Sequence, residues 1–310
     1  MEKMRAKSEI LLFAFCIVFL LIKIYSIYTT NFNLFGDEAQ YWLWSKNLDY
    51  GYFSKPPLTS WLLFVFCEIF GNSVFVIKIL SVLVYCLSSF IFFLLGKEVF
   101  RNNNIAILAA VSFYLLPGVS VSSFILSTDV LLIFFWLLSM LQIYRIKRNT
   151  NILNIIVLGI FVGLAFLSKY AAFYFILCLI ILIFFDREMR LIFLKKYHFL
   201  VFLITLTLVV MPNLFWNLKN GWVTFVHLSE NADLGRADIN FIHGFEFLIS
   251  QVLMIGPIIV LSFFFLFKKT YINDFNTKLL LIFSLPVFLI VLIESFLVRA
   301  NANWAAVSLF

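Results

Sequence analysis

Charge is scarce in this chain of 310 residues. Asp, Glu, Lys and Arg together make up 13% of it and hydrophobic residues 64%, against about 25% and roughly 45–50% in soluble domains. A soluble fold cannot hide that much apolar surface, so a polytopic membrane protein is implied. The net charge of +7 is then no sign of nucleic-acid binding. What matters is where the lysines and arginines fall, because they set membrane orientation. Cysteine is sparse too. Cys16, Cys67, Cys86 and Cys178 each lie alone in an apolar run, which excludes a disulfide framework and a Cys-based zinc site. His198, His227 and His243 show no ligand spacing, so no metal or cofactor is called for. No internal repeat, low-complexity tract or soluble domain is visible.

What the chain has is one apolar run after another. Residues 1–9 carry Lys3, Arg5 and Lys7, and a run to Tyr28 follows without a small-residue cleavage site. That reads as an uncleaved first helix with a cytoplasmic N-terminus. Lys23, near its far end, is expected to snorkel to the interface. Residues 31–73 form an external loop, in which 58–70 is apolar but too short to span. Helices are predicted at 74–95, 105–121 and 129–144. Residues 152–185 hold two short helices with a turn at Ser168-Lys169-Tyr170. A seventh helix covers 199–215, a second external polar loop 216–243, an eighth helix 245–267 and a ninth 279–298. Residues 303–310 begin a tenth run. The reading is a single all-α transmembrane domain over 1–310, part of a longer protein. In this register the cytoplasmic segments hold fifteen of the 23 basic residues, including Arg145, Lys147, Arg148, Lys195, Lys196, Lys268 and Lys269. That asymmetry obeys the positive-inside rule. It puts both polar loops, Asp129, Lys169 and Arg299 on one external side.

One stretch differs from the rest. Residues 36–61 read GDEAQYWLWSKNLDYGYFSKPPLTSW and hold three of the 16 acidic residues. Between membrane helices such a segment is expensive unless it faces water or a polar cavity, so it is the expected working surface. Asp37, Tyr41 and Trp44 recur at i, i+4 and i+7, one face of a short helix. Asp37 and Glu38 are candidate catalytic acids, or acids that solvate a loop. Tyr41, Trp42 and Trp44 suit a sugar ring held beside a carboxylate, or an interfacial aromatic belt. Lys55 precedes Pro56-Pro57, which hold it extended. It is expected to point outward at the membrane surface, toward a lipid phosphate or toward headgroups in general. Asp129 is a helix N-cap or a wall of the site. Lys169 is a second cation or a snorkelling lysine. Glu246 and Glu294, near external helix ends, are open between solvation and the site.

The run DEAQYWLWSKNLDYGYFSKPPL resembles the first external loop of the polyprenyl-phosphate-sugar-dependent glycosyltransferases of GT-C fold. These include protein O-mannosyltransferases and lipid A aminoarabinose transferases. STDVLLIFFWLL, GLAFLSKYAAF, PNLFWNLKNGWVTFVHLSENADL and RANANWAA follow in the family's order. The similarity is greatest to bacterial enzymes that add sugars to lipid A or its core, such as the galacturonic acid transferases of rhizobia. It implies a GT-C helical bundle with an amphipathic loop-helix after the first transmembrane helix. It maps the family's catalytic carboxylate to Asp37, the DExxY tyrosine to Tyr41, the KPP lysine to Lys55 and the acid heading helix four to Asp129. Glu38 is counted with these acids as catalytic. Trp44, Lys169 and Arg299 join Tyr41 and Lys55 as substrate-binding candidates. The implied partners are a polyprenyl-phosphate sugar donor, a lipid-linked or cell-envelope acceptor and membrane lipid. The implied setting is the bacterial inner membrane, with the site facing the periplasm. Ser54 stands where aminoarabinose transferases tend to have Glu before Lys-Pro-Pro, which speaks against aminoarabinose. In the implied inverting mechanism Asp37 activates the acceptor and Lys55 stabilises the leaving phosphate. The rival readings are an O-mannosyltransferase, an inactive family member, and a transporter, which would show broken helices meeting at the membrane midplane.

Overall fold

The computed structural model describes residues 2–30, 32–195, 197–232, 239–266 and 274–309, and every regular element among them is helical. In order they are α1 (Glu2–Thr29), α2 (Gly36–Ser45), α3 (Leu58–Phe70), α4 (Val74–Phe100), α5 (Asn103–Leu115), α6 (Pro117–Ser122), α7 (Thr128–Arg148) and α8 (Ile152–Ser168). A 3-10 turn (Tyr170–Ala172) leads to α9 (Phe173–Phe185), α10 (Arg187–Lys195), α11 (His198–Lys219), α12 (Val223–Ala232), α13 (Phe241–Ile255), α14 (Pro257–Leu266) and α15 (Phe275–Leu297). A second 3-10 segment (Ala302–Leu309) takes up the tenth apolar run.

Polar residues start the apolar helices by accepting from first-turn N–H groups: Ser73 for α4, Asn102 for α5, Asn151 for α8, Asn240 for α13 and Asp274 for α15. By length and composition α4, α7, α11 and α15 can each cross a membrane. α7 is the most enclosed of the four and packs between α4 and α8. Its Trp136 meets Phe175 of α9 and Phe283 of α15 edge-on. Gly159 and Gly163 let α8 lie close against α11. A Cβ at either would sit 2.8 Å from Thr205 or Val209 Cβ, the small-residue contact typical of membrane helices.

The backbone breaks two runs that hydropathy reads as continuous. The predicted helix 105–121 divides into α5 and α6 because Pro117 lacks an N–H and holds Leu116 extended. The predicted helix 245–267 divides into α13 and α14 at Gly256, whose φ of +93° precedes Pro257. The two breaks touch, since a Cβ on Gly256 would lie 3.6 Å from the Pro117 ring. The predicted loop 216–243 is largely helical. α11 runs on through Lys219, and α12 follows a turn with positive φ at Gly221 and Trp222. Residues 233–238, Lys196, Lys268 and Lys269 lie outside the described residues. Lys23 does not snorkel. It is 4% exposed, donates to Ser123 Oγ at 2.7 Å and lies over the Tyr114 ring.

Candidate active site

The N-terminal end of α7, the C-terminal end of α8 and the start of α4 meet under α2 and the loop 46–57. α2 follows an extended Phe35, with Asp37 and Glu38 in its first turn, where acids favour the positive end of the helix dipole. The helix then turns the neighbouring acids in different directions. Asp37 is exposed and lines a cavity of about 260 Å³. Glu38 is fully buried; it accepts from Phe35 N, from Lys78 Nζ at 2.7 Å and from Leu126 N at 2.8 Å.

Asp129 stands in the first turn of α7, 5% exposed. It is not a cap: one oxygen accepts from Lys169 and the other from Asn303, each at 2.7 Å. Asp37, Ser127, Asp129 and Asn303 give the cavity its polar end, and Tyr85, Val119, Ile133 and Met254 are among its less polar walls. Tyr41 is buried one turn beyond Asp37, with its hydroxyl 3.5 Å from the carboxylate. Burial, and then the negative charges of Asp37 and Asp129, push the Tyr41 phenol well above its ordinary range. It therefore stays protonated, a hydrogen-bond donor.

Lys55 does not point outward. It is half-buried, close enough to Lys169, Asp37 and Asp129 to feel all three charges. Burial lowers its pKa below the ordinary lysine value. Lys169 lowers it further, and the two acids oppose the shift. A buried polar scaffold holds its loop. Asn213 donates to Tyr50 O at 2.7 Å and Thr224 to Tyr52 O at 2.8 Å. Tyr170, next to Lys169, donates to Asn213 and accepts from Asn217. Gly51 is required here, because any Cβ would run into the Trp216 ring. Trp44 is part of this scaffold. Its ring stacks on Tyr52 at 4.6 Å, and its carbonyl accepts from the Tyr52 hydroxyl.

Six charges thus converge: Asp37, Glu38, Asp129, Lys55, Lys78 and Lys169. Four are closed into the pairs Glu38–Lys78 and Asp129–Lys169. Among the described residues Asp37 and Lys55 form no ion pair. Arg299 is exposed and makes no hydrogen bond or ion pair there; Asn303 of the same RANANWAA motif reaches Asp129 instead. Lys78 and the Asn213–Asn217–Tyr170 set were missed as site residues. The signal for Lys78 was one cation inside the apolar run VFVIKILSV. Among the described residues no three His, Cys, Asp or Glu side chains converge to hold a metal.

Residues 54–216 match the family described as dolichyl-phosphate-mannose-protein mannosyltransferase. The chain belongs to that family. It is 32% identical over 279 residues to the lipid A galacturonosyltransferase RgtD of Rhizobium johnstonii, covering 88% of this chain and 58% of the relative. It is 25% identical over 181 residues to the undecaprenyl phosphate-alpha-4-amino-4-deoxy-L-arabinose arabinosyl transferase of Wigglesworthia glossinidia brevipalpis, over 53% of this chain and 32% of that one. The crystal structure of ArnT from Cupriavidus metallidurans bound to undecaprenyl phosphate superposes with a TM-score of 0.73 at 13% identity, over 96% of this chain and 57% of that one. Its apo state gives a TM-score of 0.75 at 15% identity, over the same shares. The fold is therefore the polytopic GT-C bundle expected from the sequence. The chain spans a little over half the length of RgtD and of ArnT.

Proposed function

We propose that this chain carries the catalytic half of a glycosyltransferase that moves a sugar from a polyprenyl-phosphate donor to a lipid A-type acceptor, on the extracytoplasmic side of the bacterial inner membrane. The observation that carries the reading is the charge left over in the cluster. Lys55, half-buried and with no ion-pair partner among the described residues, feels the charges of Lys169 and of Asp37, which faces a cavity and is likewise unpaired among them. A lysine held this way invites an anion, and a donor phosphate supplies one.

In this mechanism the donor phosphate rests on Lys55, with Lys169 adding field from its place on Asp129. The acceptor hydroxyl lies on the cavity side, against Asp37. Asp37 takes the hydroxyl proton as the acceptor oxygen attacks the anomeric carbon from the face opposite the phosphate. The bond between that carbon and the phosphate oxygen breaks, the configuration inverts, and the electron pair leaves on the phosphate. Lys55 stabilises that charge, with Tyr41 as a nearby hydrogen-bond donor. RgtD, named for lipid A, supports that acceptor class, and ArnT bound to undecaprenyl phosphate supports the donor class. The two touching helix breaks are the feature a transporter would share. The family match and the carboxylate–lysine arrangement favour the transferase.

The test is Asp37→Asn in the full-length protein, assayed with undecaprenyl-phosphate sugar and lipid A. Turnover should fall roughly 10²–10⁴-fold with donor binding little changed. Near-normal turnover, with Lys55→Met inactive, would remove the base and point to an acceptor that arrives ionised, such as a lipid A phosphate.

A further inference from the structure

Glu38 and Lys78 lie just behind the proposed catalytic groups. Glu38 is 0% exposed and Lys78 3%. One Glu38 oxygen accepts from Leu126 N at 2.8 Å; the other accepts from Phe35 N at 2.9 Å and from Lys78 Nζ at 2.7 Å. Lys78 also donates to Phe124 O at 3.3 Å, and its ammonium lies 5.1 Å from the centre of the Phe35 ring. Three donors hold this carboxylate, and it is fully buried and does not line the cavity, so it is not placed to exchange a proton with a substrate there. It does join three segments. Phe35 N belongs to the entry of α2, Lys78 to the first turns of α4, and Phe124 and Leu126 to the segment entering α7. Ser81, one turn after Lys78, donates to the Ile125 carbonyl at 3.1 Å in the same segment.

The separation of Asp37 from Asp129 runs through this junction. Asp37 is the residue before Glu38, and Asp129 is three residues after Leu126. Short backbone steps therefore tie each proposed site acid to the Glu38 carboxylate. We infer that the Glu38–Lys78 pair is a positioning latch that fixes Asp37 against Asp129 and Lys169, and that Glu38 is not itself a catalytic acid. The inference rests on the transferase reading for its effect on rate, but the geometry it asserts can be measured apart from activity. A buried ion pair completed by backbone N–H groups is a rigid device, and removing one partner leaves the other charge buried alone. A displacement of about 1 Å at a reacting group costs about 10²-fold in rate.

The experiment uses full-length protein and four variants: Glu38→Asp, Glu38→Gln, Lys78→Met and the double variant Glu38→Gln/Lys78→Met. Glu38→Asp keeps the charge but cannot reach all its donors. It is the variant least prone to misfolding, and its kcat should fall about 10-fold. Glu38→Gln and Lys78→Met should each lower kcat about 10²-fold per folded molecule, with donor KM within about threefold. The double variant should cost no more than the worse single change, because both break one unit. The pH dependence of kcat in Glu38→Gln should keep the acid limb of the parent. In a cysteine-free background, spin labels at Ala39 and Val121 should show a broader distance distribution in Lys78→Met than in the parent. Wild-type kcat in Glu38→Asp, loss of the pH limb in Glu38→Gln, or an unchanged distance distribution would each overturn the latch. If Asp37→Asn proves active, Asp37 is not the base and the rates no longer report on its placement, and the spin-label distances still decide whether the latch exists. If Asp37→Asn is dead while the Glu38 and Lys78 variants turn over normally, only the latch falls.

Discussion

Replacing Lys55 with Met should make the protein less active and more stable. The side chain is half-buried, has no ion-pair partner among the described residues and sits in the field of a second lysine. An ammonium and a phosphate oxygen 4 Å apart attract by about 4 kcal/mol at an effective dielectric near 20. Stripping water from both offsets part of this, leaving about 2–3 kcal/mol for the contact. Lys55→Met should therefore lower kcat/KM roughly 30- to 150-fold. Binding of undecaprenyl phosphate, followed by intrinsic fluorescence or calorimetry in detergent, should weaken as well, because the phosphate is charged before and after transfer. Stability runs the other way. Burial and Lys169 hold the Lys55 pKa below 10.5 in the fold, so the unfolded chain binds more protons at this position. Its contribution to stability therefore rises with pH through the window between the lowered value and 10.5. Below that window the charged lysine is a burden, and removing it should raise the unfolding midpoint. The rise with pH in that window should be missing in Lys55→Met and flattened in the parent by saturating undecaprenyl phosphate. A variant that unfolds earlier and binds undecaprenyl phosphate normally would refute the account of Lys55 as a cation waiting for an anion.

Lys169→Met should act with the opposite sign on stability. It strips Asp129 of its 2.7 Å partner, with only Asn303 left. A fully buried pair loses about 3–5 kcal/mol this way; with the Lys169 side chain 17% exposed, about 2–3 kcal/mol is expected in thermal unfolding, together with loss of turnover. Asn213→Leu leaves the Tyr50 carbonyl without its donor and the Tyr170 hydroxyl without the oxygen it donates to. It should destabilise by about 1–3 kcal/mol and raise the donor KM by loosening the loop that carries Lys55. For topology, single cysteines at the exposed positions Asn47 and Ser229 should react with an impermeant maleimide in cells whose outer membrane is permeabilised, while one at Arg148 stays protected. Labelling at only one of the first two would show that an odd number of crossings separates them.

Most of the helical architecture was legible because apolar runs and their caps are local signals. The expected starts at 74 and 152 are the ones that the structure shows. The breaks at Pro117 and Gly256 were less legible, because hydropathy is blind to backbone geometry and both sites keep apolar neighbours. A proline alone does not decide the matter, since Pro212 and Pro286 sit inside α11 and α15 without ending them. In the site, residue type and motif brought Asp37, Tyr41, Lys55, Asp129 and Lys169 forward, and the fold gathers all five. The sequence could not say which acid pairs with which lysine. Glu38 is adjacent to Asp37 and looks equivalent to it, yet one step along a helix turns one carboxylate into the protein and the other to the cavity. Lys78 is 40 residues away from Glu38, a separation that no pattern reading joins.

That division of charges bears on why the two unpaired groups are the ones proposed for the reaction. A prenyl phospho-sugar carries a single negative charge on its phosphodiester, whereas the departing prenyl phosphate carries about −1.5 to −2 at neutral pH. In the proposed reaction negative charge therefore grows next to Lys55 as the sugar leaves, and the attraction is larger in the transition state than in the bound donor. Only such a difference accelerates the step. Asp37 undergoes the complementary change, from a free carboxylate to one that shares the acceptor's proton. A cation already closed onto Asp129 or Glu38 would have much of its field spent before the reaction began. On this proposal the two ion pairs fix the frame and hold their own charges constant, while Lys55 and Asp37 are left to respond to charges that the substrates bring.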